Sequence, residues 1–83
     1  MEIKPTILVV DDELGARQSL EVILEDDYRV LSAESGREAL EVLQRESIDL
    51  ILLDVNMPDM DGLEVLRKIK EQDDEMDVIM VSA

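Results

Sequence analysis

The chain of 83 residues contains no cysteine, no histidine, no tryptophan and no phenylalanine. Without thiols it builds no disulfide scaffold, thiolate metal centre or cysteine nucleophile. Without imidazole it cannot assemble a Ser-His-Asp triad or a histidine zinc site from its own residues. Its one aromatic residue is Tyr28, too little for a platform on which bases stack. Positive charge is scarce: 8 Lys and Arg stand against 22 Asp and Glu, a formal net charge of −14. That balance opposes direct binding to a nucleic-acid backbone or to an anionic membrane. It favours cations and basic partners instead. No apolar run approaches the roughly 18 residues of a membrane span, and no signal-peptide hydrophobic segment follows Met1. The expectation is a cytoplasmic protein of one domain.

Hydrophobic residues make up 46% of the chain, and their pattern alternates between two kinds. Ile7-Leu8-Val9-Val10 is a short β-branched run that stops at Asp11-Asp12-Glu13 and reads as a strand buried on both faces. From Leu14 to Glu25 the apolar residues Ala16, Leu20, Ile23 and Leu24 recur at helical spacing. Tyr28 to Ala33 reads as a second strand. Ser35-Gly36-Arg37-Glu38 matches the S-x-x-E capping box of a helix start, with Ala39, Leu40, Val42 and Leu43 on one face behind it. Ile48 to Leu53 forms the strongest strand and ends at Asp54.

Asn56-Met57-Pro58-Asp59-Met60-Asp61-Gly62 is a dense loop signal. Asp61 can then cap a third helix, with Leu63, Leu66 and Ile69 on its apolar face beside Val65. The stretch Glu71 to Asp77 is an acidic connection, and Val78-Ile79-Met80-Val81 is a fourth strand. The order β-α-β-α-β-α-β implies right-handed crossovers and a parallel sheet. Too few strands are present to close a barrel, so the class is α/β with an open sheet.

In an open parallel sheet, ligands bind outside the carboxyl ends of the strands where strand order reverses. With strand order 2-1-3-4, strands 1, 3 and 4 are neighbours about 4.8 Å apart. Asp11, Asp12, Asp54 and Ser82 then share one rim. Carboxylates held that close repel one another unless a cation joins them. A site with no nitrogen or sulfur ligand suits a hard ion such as Mg²⁺. Taken singly, each feature has a plainer reading: Asp11-Asp12 as a helix cap, Asp54 as a turn former, Met57 and Met60 as gap fillers.

Three segments together carry a specific resemblance. Ile7 to Glu13, Asp49 to Gly62 with its D-x-x-M-P-x-M-D-G run, and Val78 to Ala83 make the chain similar to the receiver domain of bacterial two-component response regulators. The resemblance covers essentially residues 1–83 and implies a flavodoxin-like fold. It implies that Asp54 is the phosphoacceptor for a phosphoryl group supplied by a sensor histidine kinase. Asp11, Asp12 and Asp54, with the backbone carbonyl of Asn56, match the Mg²⁺ ligands. Ser82 matches the switch hydroxyl, and the backbone N–H groups of Val55, Asn56 and Ala83 match the cradle around the phosphoryl oxygens. The implied role is a non-enzymatic signalling module that switches an output domain, with transcription regulation as the weakly cued output.

The family domain has five strands and five helices in roughly 120 residues. Against that plan, the fifth strand with its Lys and the last two helices are absent from this sequence. The expectation is a receiver truncated after its fourth strand. The fourth strand and one face of the first helix would be left uncovered, favouring self-association through them. None of the 8 basic residues sits at the carboxyl end of a strand to replace that Lys. An alternative is therefore a phosphorylation-deficient fragment acting only as a self-associating interaction module. An aspartyl phosphohydrolase with a D-x-D signature fits less well, because Asp54-Val55-Asn56 carries Asn at the second acidic position.

Overall fold

A computed structural model describes residues 3–58 and 61–81. The elements run β1 (Thr6–Val10), α1 (Leu14–Leu24), β2 (Arg29–Ala33), α2 (Gly36–Arg45), β3 (Leu50–Asp54), α3 (Gly62–Gln72) and β4 (Asp77–Val81). All strand pairs are parallel, in the order β2-β1-β3-β4. The reversal of strand order falls between β1 and β3, as the alternating pattern requires.

β1 is one of the two inner strands, and each of its five residues is buried. Leu8 and Val10 join Ala33, Ile51 and Leu53 in a core closed by Ala39 and Val42 of α2 and by Val65 and Ile69 of α3. Successive strand residues face opposite sides, so Ile7 and Val9 point to the other face, where α1 packs on β1 and β2. Burying one such aliphatic side chain is worth about 1.5–3 kcal/mol. Most of that stabilisation therefore lies on the α2–α3 side.

Local chemistry sets the element ends. The Ser35 hydroxyl accepts the Glu38 N–H at 3.1 Å, the expected cap of α2. Asp61 caps α3 by accepting the Leu63 N–H at 2.9 Å. The Lys70 ammonium donates to the carbonyl of Met76, tying the end of α3 to the turn before β4. That helix runs to Gln72 and β4 begins at Asp77, so the acidic connection is shorter than the sequence suggested.

Three further expectations shift. β3 begins at Leu50 rather than Ile48. Asp49 turns its carboxylate onto the Thr6 N–H at 2.7 Å, and its own N–H reaches the Thr6 carbonyl at 2.9 Å. On α3 the buried stripe is Gly62, Val65 and Ile69, and Leu63 is exposed. On α1, Ile23 is 69% exposed and the helix has no fully buried residue. Gly62 explains the α3 shift. A Cβ there would lie 2.8 Å from the Val55 Cα, so this position must face the end of β3, and the stripe follows from it. Gly62 is thus the first residue of a helix chosen for close approach, not a loop former.

Candidate functional site at the carboxyl rim

Asp11 and Asp12 follow directly on β1, and Asp54 is the last residue of β3. The register pairs Val10 with Leu53, which brings the residues after them side by side. Carboxylate oxygens of Asp11, Asp12 and Asp54 lie within 4.8 Å of one another. Asp11 and Asp54 are half-buried and Asp12 is exposed. With Asn56 they line a cleft of about 410 Å³ that runs past Ala16 and Leu20 of α1 to Val81.

Each half-buried acid spends one oxygen on the loop that follows it. Asp11 Oδ1 accepts the Glu13 N–H at 2.9 Å, and Asp54 Oδ1 accepts the Asn56 N–H at 3.0 Å. These bonds hold the two carboxylates in fixed directions and mould the loops around them. The plainer reading of the acid pair as a helix cap does not hold, because the residue capping α1 is Glu13, without a side-chain cap bond. Met57 is buried in the core beneath the loop, as a gap filler should be.

The Val55 N–H donates to the Val81 carbonyl at 3.1 Å and so continues the sheet ladder. Both backbone donors named for the cradle in this loop, Val55 and Asn56, therefore already have partners here. Ser82 and Ala83 lie outside the described residues, as do Asp59 and Met60.

Sequence reading passed over one cation. Arg17 of α1 reaches back to the rim, and its Nη1 donates to the Asp11 carbonyl at 2.8 Å. Its Nη2 stands 3.9 Å from Glu34 Oε2 in the β2–α2 loop, and its side chain is only 12% exposed. One signal was available. Arg17 lies three and seven residues before Leu20 and Leu24, on the stripe that faces the sheet, where a guanidinium needs an oxygen partner.

The donor set is all oxygen and strongly anionic, which fits a hard divalent cation such as Mg²⁺ and no soft metal. Among the described residues no helix is long and apolar enough to cross a membrane.

The description of the response regulator receiver domain matches residues 7–83. The sporulation initiation phosphotransferase F of Bacillus subtilis is 41% identical over 78 residues, covering 93% of this chain and 63% of that protein. A CheY-like response regulator receiver domain protein from Methanospirillum hungatei superposes with a TM-score of 0.92 at 36% identity, over 96% of this chain and 65% of that one. Response regulator TrrA of Thermotoga maritima, solved in complex with Mg²⁺-BeF, gives a TM-score of 0.89 at 39% identity, over 95% and 70%. Other curated relatives, a response regulator and a transcriptional regulatory protein, are longer, and the chain spans 34% and 19% of them. The chain belongs to the receiver domain family of two-component response regulators.

Proposed function

We propose that this chain is the phosphoryl-accepting module of a two-component phosphorelay, with Asp54 as the phosphoacceptor. The observation that carries the reading is the convergence of Asp11, Asp12 and Asp54 within 4.8 Å at the carboxyl rim. A carboxylate oxygen of Asp54 attacks the phosphorus of a phosphohistidine on a sensor kinase. The P–N bond breaks, its electron pair returns to the imidazole nitrogen, and a mixed anhydride remains on Asp54. Attack by an anion on an anion needs its developing charge neutralised, and a Mg²⁺ bound at the cluster would supply that. Asp11, Asp12 and Asp54, with the Asn56 carbonyl, are the residues that would hold it. The Mg²⁺-BeF complex of the Thermotoga relative supports this assignment.

The chain's own groups do the rest. The Asp54 Oδ1 bond to the Asn56 N–H aims the attacking carboxylate. After transfer, the rim carries an added charge of about −1.5 to −2. The Ser82 hydroxyl and the Ala83 N–H would donate to it, and the Val55 and Asn56 N–H groups can join only by leaving the Val81 carbonyl and Asp54 Oδ1. That exchange of partners is the change read by an output domain, here one of transcription control by likeness to the longer relatives. No nucleic acid or membrane is contacted by this chain, and the module is not itself an enzyme.

Intact mass spectrometry after incubation with acetyl phosphate and Mg²⁺ tests the reading. A phosphoryl adduct that requires Mg²⁺ and vanishes in Asp54→Asn supports it, and a folded wild type that takes no adduct refutes it.

A second reading has its own observation. Ile79 and Val81 of β4 are 52% and 43% exposed, and Val22 and Ile23 of α1 are 67% and 69% exposed. These residues give an apolar flank to the α1 side of the molecule, suited to self-association between copies. Sedimentation equilibrium decides it: a mass that stays monomeric at high concentration removes this reading.

A further inference from the structure

We propose that Arg17 is a positioning residue for the acidic pair, and that it sets the direction from which Asp12 meets a divalent cation. The proposal rests on the Mg²⁺ reading of the rim given above.

Asp12 is exposed, and among the described residues its carboxylate accepts no hydrogen bond. What the fold fixes for Asp12 is its backbone, the point from which the side chain starts. The peptide joining Asp11 to Asp12 is a rigid plane, so the direction of the Asp11 carbonyl fixes the start of Asp12. That carbonyl is held by Arg17 Nη1 at 2.8 Å. The rest of Asp11 is held too, by its N–H on the Ala33 carbonyl at 3.1 Å and by its Oδ1 on the Glu13 N–H at 2.9 Å. Arg17 thus completes a three-point mount in which the carbonyl is the only point served from another element's side chain. The guanidinium is largely buried, and its other end faces the exposed Glu34 carboxylate at 3.9 Å. A mobile surface arginine could not hold a peptide plane in this way.

The same position predicts two opposite outcomes for two different roles. A positive charge beside a cation site repels the incoming cation, so an arginine acting only through its charge weakens metal binding and its removal tightens it. An arginine that positions the ligands does the reverse. Groups that orient metal ligands from behind are worth about 10- to 100-fold in affinity.

The test is Mn²⁺ titration of the full chain, read by the electron paramagnetic resonance signal of free Mn²⁺. Arg17→Ala is expected to raise Kd about tenfold. Arg17→Lys, which keeps one donor for the carbonyl, should recover most of the loss. Glu34→Gln should cost less than Arg17→Ala. An unchanged or tighter Kd in Arg17→Ala overturns the proposal.

A second readout needs no metal: the amide proton shifts of Asp11 and Glu13 in the metal-free protein. Both should move in Arg17→Ala and return in Arg17→Lys, while the Leu8 and Ile51 amides stay in place. Shifts spread through the core, or none at the rim, overturn the proposal by showing a general packing role or no role. If the wild type binds no Mn²⁺ while the rim amides respond as expected, the Mg²⁺ reading fails and the mount stands. If Asp12→Asn loses Mn²⁺ but Arg17→Ala does not, the site is real and the mount is wrong.

Discussion

The two faces of the sheet are built to different standards. On one face α2 and α3 close a core in which Leu8, Ala39, Ile51, Leu53, Val65 and Ile69 are fully buried. On the other face α1 contributes no fully buried residue, and Ile79 of β4 stands beside Leu52 in register yet remains half exposed. The same alternating strands supply apolar residues to both sides. What differs is the cover: two helices against one. Stability therefore belongs to the α2–α3 face, and the α1 face carries the cleft and Arg17.

Substitutions should expose that asymmetry directly. The largest expected effect is Ile51→Ala, which opens a cavity under α2 and α3 and should cost about 2–5 kcal/mol in urea unfolding. Ile23→Ala on α1 removes the same kind of side chain and should fall within about 0.5 kcal/mol of wild type. Equal losses from the two would erase the difference between the faces.

Next comes Gly62→Ala. The added methyl meets the Val55 backbone at 2.8 Å, and overpacking of this kind costs about 1–3 kcal/mol. A neutral result by the same measurement would mean that α3 can slide away from β3. Ser35→Ala should cost about 1 kcal/mol through loss of the α2 cap, with Ser35→Asp close to wild type. An effect on stability as small as that of Ile23→Ala is expected for Ile79→Lys, within about 0.5 kcal/mol, although its sedimentation should shift toward monomer if the α1 side joins copies. A large stability loss there would show that β4 is better covered than its exposure indicates.

Much of this was legible in the residues. The strand runs at Ile7–Val10 and Val78–Val81 carry no charge and stop at polar groups, so both their existence and their rim ends could be read. The Asp11, Asp12 and Asp54 cluster followed once the strand order 2-1-3-4 was supposed, and the sheet has that order. The capping residues Ser35 and Asp61 were legible because capping is a local matter of one side chain and one amide.

The errors were rotational or tertiary. Leu63 and Ile23 are as apolar as their better-covered neighbours, and periodicity alone could not tell which edge of the stripe would face outward. On α3 that choice is made by a single close contact at Gly62, which no pattern of hydrophobicity encodes. Ile48 looked like strand until Asp49 was needed at the start of β1. Arg17 escaped notice because its partner lies six residues back along the chain, at the end of a different element.

The fit of Gly62 against the loop after Asp54 also has a mechanical meaning. A joint with a methyl group's worth of clearance would absorb small movements, as play in a bearing does. Here the backbone of α3 rests directly on that of the loop, with nothing compressible between them. A displacement beside Asp54 therefore meets the first turn of α3 before it meets any flexible side chain. A helix seated without slack works as a pushrod, and its far end, pinned by Lys70, is where such a movement would be felt.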